Sequence, residues 1–307
     1  VNILRPTLDA NGLSNVKIIA PDILSNNWAF ADRLTWDTAL KDAIDVIGYH
    51  YVLKVSTANA QNSGLPIWES EGWTGVGDWN GALDLAKTMN ENYVRAKLTQ
   101  TNVWHLSHSD YDNLAWPRSG ILVANSPWSG NYTVMPSVWA AAHTTQFVKP
   151  GWKYLESGTG ITEGNTSYVT MKQPDASGNY SIILVTGGAY ETMKFNVSGG
   201  LSTGTVHVWK SNSSQQFIQQ SDITPSGGTF SINLEPNSIY SITTTTGQQK
   251  GVAAHPIPAP SAFPNPYSEN FDSYAAGVTP KYTQDEHGAF ETSNKYGGTG
   301  KALRQII

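Results

Sequence analysis

The hydrophobic period of this chain changes twice, and no other feature narrows its fold as much. In the first half four short apolar runs, Val16 to Ala20, Ile44 to Tyr51, Leu65 to Trp68 and Thr101 to Leu106, alternate with stretches of helical spacing. Between the third and fourth runs Ala82, Ala86, Met89, Tyr93 and Ala96 recur at steps of four and three, which lays one buried stripe along a helix. Strand, helix, strand at this rhythm describes βαβ units, and βαβ units build a parallel sheet. Four such units are half of a (β/α)8 barrel, whose closure takes about 250 residues. Residues 1–148 are therefore expected to form the C-terminal half of a TIM barrel, with four further strands preceding Val1.

From Trp152 to about Thr246 the period becomes two. Phe230, Ile232 and Leu234 alternate with Ser231 and Asn233, and Ile239, Ser241 and Thr243 alternate with Tyr240, Ile242 and Thr244. Turn clusters such as Ser177-Gly-Asn, Ser198-Gly-Gly and Ser226-Gly-Gly separate the strands, so residues 149–248 read as a β-sandwich. Five prolines between residues 249 and 267 favour an extended, semi-rigid linker. The stretch Glu269-Asn-Phe-Asp-Ser-Tyr-Ala-Ala-Gly277 then opens like a lectin-like jelly roll, so residues 268–307 are expected to be the start of a truncated lectin-like domain. The fold class is α/β plus all-β.

Composition limits the chemistry. The charged fraction is 14% and the net charge −5, with no basic cluster, which argues against a nucleic-acid partner because phosphate binding needs concentrated Lys and Arg. Without cysteine there is no disulfide, no thiolate nucleophile and no Cys-ligated metal. No run approaches the roughly 18 apolar residues of a transmembrane helix. The abrupt start Val-Asn-Ile-Leu shows no signal peptide, and the richness in Trp, Tyr, Ser, Thr and Asn points to a secreted or lysosome-like compartment. Five Asn-X-Ser/Thr sequons, at Asn131, Asn165, Asn179, Asn196 and Asn212, carry sugar only on a eukaryotic secretory route.

The run Leu65-Pro-Ile-Trp-Glu-Ser-Glu-Gly-Trp73 holds the most informative side chain. An apolar strand delivers a Trp and then the carboxylate Glu71 before a glycine turn, and barrel enzymes carry their reacting groups at the carboxyl ends of strands. A carboxylate walled by indoles suits one face of a sugar whose glycosidic bond is to be cleaved. Strand order brings Asp22, His50, Glu71 and Trp104 to one edge. Glu71 must be ionised to act, and His50 and Tyr51, ending the preceding strand, are its expected neighbours. His50 reads equally as a packed neutral histidine, and Glu69 as a structural residue on the other side of the strand. His105 and His108 lack a third partner for zinc, so no metal centre and no cofactor is expected. Asn270 and Asp272 offer oxygens for a structural Ca²⁺ in the last segment.

Several strings together resemble glycoside hydrolase family 59, the galactosylceramidase family: Val16-Lys-Ile-Ile-Ala, Asp45-Val-Ile-Gly-Tyr-His-Tyr51, Trp68-x-Ser-Glu71, Ser126-Pro-Trp-Ser-Gly-Asn-Tyr132 and His143-Thr-Thr-Gln-Phe-Val-Lys-Pro-Gly-Trp152. The resemblance implies a barrel, a β-sandwich and a lectin domain, and a retaining β-galactosidase acting on galactosylceramide or a related β-galactoside. It implies Glu71 as the nucleophile, Trp104 in the sugar pocket, Thr74 where the family has a serine near the sugar, and Trp116 where it has a pocket tyrosine. The family's acid/base lies on a fourth strand outside this chain, so the fragment alone is expected to be inactive. The family's substrate-binding Arg has no counterpart in the shorter span Thr186-Gly-Gly-Ala-Tyr-Glu191, and Asp78 stands at the position of a family cysteine. Two other readings stay open: a retaining glycosidase of the same clan on another β-linked sugar, and a non-catalytic carbohydrate-binding fragment.

Overall fold

The computed structural model describes residues 2–24, 27–73, 75–110, 119–283, 285 and 288–307. They divide into two compact units, Val1–Val123 with Val134–Val252, and Ala124–Thr133 with Ala253–Ile307.

The first unit contains the expected parallel sheet. Its strands β1 (Ile19–Leu24), β2 (Val46–His50), β3 (Ile67–Trp73) and β4 (Leu98–Trp104) lie side by side in chain order. Ile47, Tyr49, Ile67 and Leu98 form one apolar face against Trp28, Ala31 and Leu34. The strands extend differently from the apolar runs. β1 starts later and continues through Pro21, which has no N–H to donate, and its register slips between Pro21 and Ile23 with Asp22 at φ 55°. β4 starts three residues early, because Lys97 caps the preceding helix in the left-handed conformation and passes the chain straight into Leu98.

That helix, α1 (Trp79–Ala96), is started by Asp78, whose carboxylate accepts from the Gly81 N–H at 2.9 Å. Ala82, Ala86, Tyr93 and Ala96 of the expected stripe are buried, and so are Leu85, Asn90, Glu91 and Asn92. One stripe was expected. The helix has two buried faces because a second sheet packs on it, and Asn90 Nδ2 reaches the Ser167 and Ile183 carbonyls of that sheet at 3.2 and 3.1 Å.

The second sheet is antiparallel. Strands β5 (Ser167–Lys172), β6 (Tyr180–Val185), β8 (His207–Ser211) and β10 (Ile239–Thr243) run in the order β8-β10-β6-β5 at its centre, while β7 (Glu191–Asn196) pairs with β9 (Thr229–Leu234) as a separate two-stranded sheet. Between the sheets Tyr180, Ile182, Leu184, Val208 and Ile242 meet Phe230, Ile232 and Leu234. The opposite face of the large sheet carries Val169, Met171, Ile183 and Trp209, which pack with Tyr93, Ala142, Phe147 and Phe217. Burial on both faces explains why β6 is apolar with little alternation.

In the second unit β11 (Phe290–Asn294) and β12 (Lys301–Gln305) form an antiparallel pair. Trp128, Phe263, Tyr267 and Tyr282 cluster edge to face, and the Trp128 indole N–H donates to the Ser261 carbonyl at 2.7 Å. No helix among the described residues is long and apolar enough to cross a membrane.

Helix α2 (Pro136–Thr145) docks on β10 and β8 through His143, which is fully buried with its ring nitrogens 2.8 Å from Ser241 Oγ and 2.7 Å from Ser211 Oγ. Burial pushes this imidazole down to about 3 from its ordinary 6.5. The folded state therefore holds it neutral, and its contribution is complete above the ordinary value and declines as pH falls from there. His143→Ala should lower the unfolding free energy near neutral pH by about 3 kcal/mol. Between about pH 7.5 and pH 5 the variant should lose about 2 kcal/mol less than the wild type, because the titration is gone. Urea unfolding at the two pH values measures both effects.

Candidate active site

Three strand ends supply the site. Glu71 projects from β3, His50 closes β2, and Asp22 lies in the irregular end of β1. Tyr51 follows β2 at φ 49°, a left-handed conformation that non-glycine residues seldom adopt. Its phenol donates to Glu71 Oε1 at 2.7 Å and its backbone N–H donates to the Glu71 carbonyl at 2.9 Å. His50 Nδ1 lies 3.6 Å from Glu71 Oε2, and its Nε2 lies 3.1 Å from Asp22 Oδ1. Both oxygens of Glu71 thus have a polar neighbour, and the side chain is 31% exposed.

The electrostatics follow from these contacts. The Ser70 hydroxyl and then His50 hold Asp22 below the usual carboxylate range, against the cost of burying it. Burial, reinforced by the bond to Glu71, pushes the Tyr51 phenol well above its ordinary value, so it remains a donor at physiological pH. His105, after β4, is lowered by burial and by the nearby His108.

An irregularity in β3 selects the carboxylate that meets solvent. In an even strand residues two apart share a face, so Glu69 and Glu71 would point the same way. On the β2 side Tyr49 pairs with Glu69 but His50 pairs with Glu71, and on the β4 side Thr101 pairs with Glu69 but Val103 with Gly72. One extra residue is accommodated around Ser70 on both sides. Bulges of this kind re-aim side chains and concentrate near active sites. Glu69 consequently lies against α1, where Asn92 Nδ2 donates to its Oε2 at 2.7 Å, whereas Glu71 faces the open edge.

Asp22, His50 and Glu71 meet as strand order requires. Trp104 ends β4 opposite Trp73, two residues beyond Glu71 on the adjacent strand. Thr74 and Trp116 lie outside the described residues. The contributions of Ser70 and Asn92 carry no periodic signal. Asn92 belongs to the polar run Asn90-Glu-Asn92, and only the structure shows which of the three reaches Glu69. Asn270 Oδ1 accepts from the Asp272 N–H, and Asp272 Oδ1 accepts from the Lys301 N–H. Among the described residues no group of three or more His, Asp or Glu is arranged to hold a metal ion.

Residues 1–146 match the sequence model of the family described as Glycosyl hydrolase family 59. The whole chain is similar to galactocerebrosidases: 33% identical to that of Danio rerio, over 100% of this chain and 50% of the relative. Identity is 35% with that of Mus musculus, over 99% and 48%, and 33% with that of Homo sapiens, over 100% and 48%. The chain spans about half the length of these relatives. Its fold is shared with a GH30 endoxylanase from Clostridium papyrosolvens C71, at a TM-score of 0.61 and 19% identity over 76% of this chain and 57% of that one. The catalytic domain of GH30 xylanase C from Talaromyces cellulolyticus gives 0.62 and 22% over 79% and 55%.

The placement of the Glu69 side chain depends on a glycine. A Cβ on Gly72 would come within 2.8 Å of the Glu69 carboxyl, which folds across it. Gly72→Ala should therefore destabilise the protein by about 1–3 kcal/mol in urea unfolding, and Glu69→Ala in the same chain should recover part of that loss.

Proposed function

The chain belongs to glycosyl hydrolase family 59 through residues 1–146, and on that premise we propose that it carries the nucleophile of a retaining β-galactosidase resembling galactosylceramidase. The substrate is galactosylceramide or a related β-galactoside. The observation that carries this reading is Glu71 itself, a partly exposed carboxylate at the strand edge with Tyr51 on one oxygen and His50 beside the other. In double displacement a Glu71 oxygen attacks the anomeric carbon while a second carboxyl, about 5 Å away, protonates the leaving oxygen. Water, activated by that second group, then cleaves the glycosyl ester. The Tyr51 phenol orients Glu71 by donating to Oε1 before attack, with His50 beside Oε2, and both are in place to meet these oxygens again when the ester breaks. Trp104, with Trp73 beside it, offers an indole wall for the sugar.

We read the β1–β4 sheet as the second half of a (β/α)8 barrel, the antiparallel sheets as its companion sandwich and the last segment as part of a lectin-like domain. The acid/base carboxyl is assigned to a strand outside these residues. A second reading, a retaining glycosidase of the same clan on another β-linked sugar, is favoured by one observation: the span Thr186–Glu191 contains no arginine to meet a galactoside.

The native protein containing this chain, treated with a 2-deoxy-2-fluoro β-galactoside, should form a trapped ester on Glu71, located by peptide mapping. Glu71→Gln should abolish both labelling and turnover. Label on another residue contradicts the assignment, and turnover with the wild-type rate in Glu71→Gln does the same.

A further inference from the structure

The two antiparallel sheets enclose a cavity of about 540 Å³, within the range of about 300–1,000 Å³ that small-molecule sites occupy. Tyr168 of β5, Ile182 of β6, Met193 and Phe195 of β7 and Phe230 of β9 line it. The space exists beside an edge strand. β7 pairs with β9 alone, and its inward residues Met193, Phe195 and Val197 stay half-buried while Phe230, Ile232 and Leu234 of β9 are buried. Apolar side chains that face a void lose the dispersion contacts a filled core would give them.

The charged groups at this cavity have one sign. Lys172 and Lys194 line it and no Asp or Glu does, in a chain whose net charge is −5. Lys172 lies directly opposite Tyr180 in the β5–β6 register, and on its other side opposite Lys153 of the short strand Lys153–Tyr154. Cross-strand partners share a face, so two ammonium groups and a phenol form one row at the end of the sheet, and like charges placed opposite each other repel. Neither Lys153 nor Lys172 has an ion pair among the described residues. Tyr180, which lines the cavity, is 2% exposed, and its phenol oxygen has no hydrogen-bond partner among the described residues. Burial pushes this phenol up to about 12, so it remains a donor with no acceptor. A buried polar group left in that state is costly.

We propose that the cavity binds one fatty-acid molecule, its chain between the sheets and its carboxylate against Lys172 and Tyr180. The chain fills the void beside Met193 and Phe195, the carboxylate offsets the repulsion between the lysines, and its oxygens give the phenol an acceptor. A saccharide, which aromatic rings also attract, would find no carboxylate in the lining to accept from its hydroxyls. The site uses no residue of the Glu71 cluster and does not depend on which sugar is cleaved.

The test is isothermal titration calorimetry at pH 8 on the native protein containing this chain, with decanoate, with decanol and with galactose. Decanoate should bind with one equivalent, and decanol, the same chain without the charge, about tenfold more weakly or worse. Lys172→Gln should weaken decanoate to about the level of decanol, whereas Lys172→Arg, which keeps the charge, should retain it within about threefold. Tyr180→Phe should weaken decanoate by about 3- to 10-fold and leave the melting temperature of the ligand-free protein unchanged or higher, since it removes a hydroxyl that has no partner. No binding of decanoate to the wild type, equal binding of decanol, or an unchanged affinity in Lys172→Gln each overturns the proposal. Displacement of decanoate by galactose would make this a sugar site and overturns it too. In Tyr180→Phe, a lower melting temperature with unchanged affinity would remove the phenol from the site.

Discussion

One extra residue in β3 decides which of two carboxylates meets solvent. Without the slip around Ser70, Glu69 and Glu71 would share a face, and both would be buried against α1 or both exposed. With it, Glu69 turns toward Asn92 and Glu71 toward Tyr51 and His50. The Glu71 carbonyl also accepts the Tyr51 N–H at 2.9 Å, so β3 holds both the backbone and the phenol of that residue. Gly72 is what lets the Glu69 side chain lie across the strand.

Helix α1 makes this local arrangement part of a larger rigid body. It is buried on two sides, and two of its asparagines point into different sheets: Asn90 to the carbonyls of Ser167 and Ile183, Asn92 to Glu69. The Tyr93 phenol and Lys97 both reach Glu156, at 2.6 Å each, which closes the same contact near the helix end. Helix α2 adds the buried His143 bridge to β8 and β10. A site whose geometry must be kept to fractions of an ångström benefits from a scaffold in which the supporting helix is fastened from both sides.

Much of this was legible in the sequence. The order of β1 to β4 followed from alternating periods, and the positions of Ala82, Ala86, Tyr93 and Ala96 from helical spacing. The meeting of Asp22, His50 and Glu71 followed from strand ends alone. What escaped was non-local. No residue type announces a bulge at Ser70, and Tyr51, Leu53 and Lys54 are poor signals for left-handed backbone, which sequence rules reserve for Gly, Asn and Asp. The second buried face of α1 depends on a sheet far along the chain, as Asn90 bonding to Ser167, 77 residues on, illustrates. β1 continued past Pro21 because its neighbour β2 accepted a slipped register, a property of the pair and of neither strand.

The central claim is that Glu71 attacks the sugar, and its most direct test is the stereochemistry of the first product. Proton NMR of the native protein hydrolysing an aryl β-galactoside, recorded before mutarotation, distinguishes one displacement from two. Double displacement through Glu71 predicts that β-galactose appears first and α-galactose only later, by mutarotation. First appearance of α-galactose would mean that water attacks the anomeric carbon directly, and Glu71 could then not be its nucleophile.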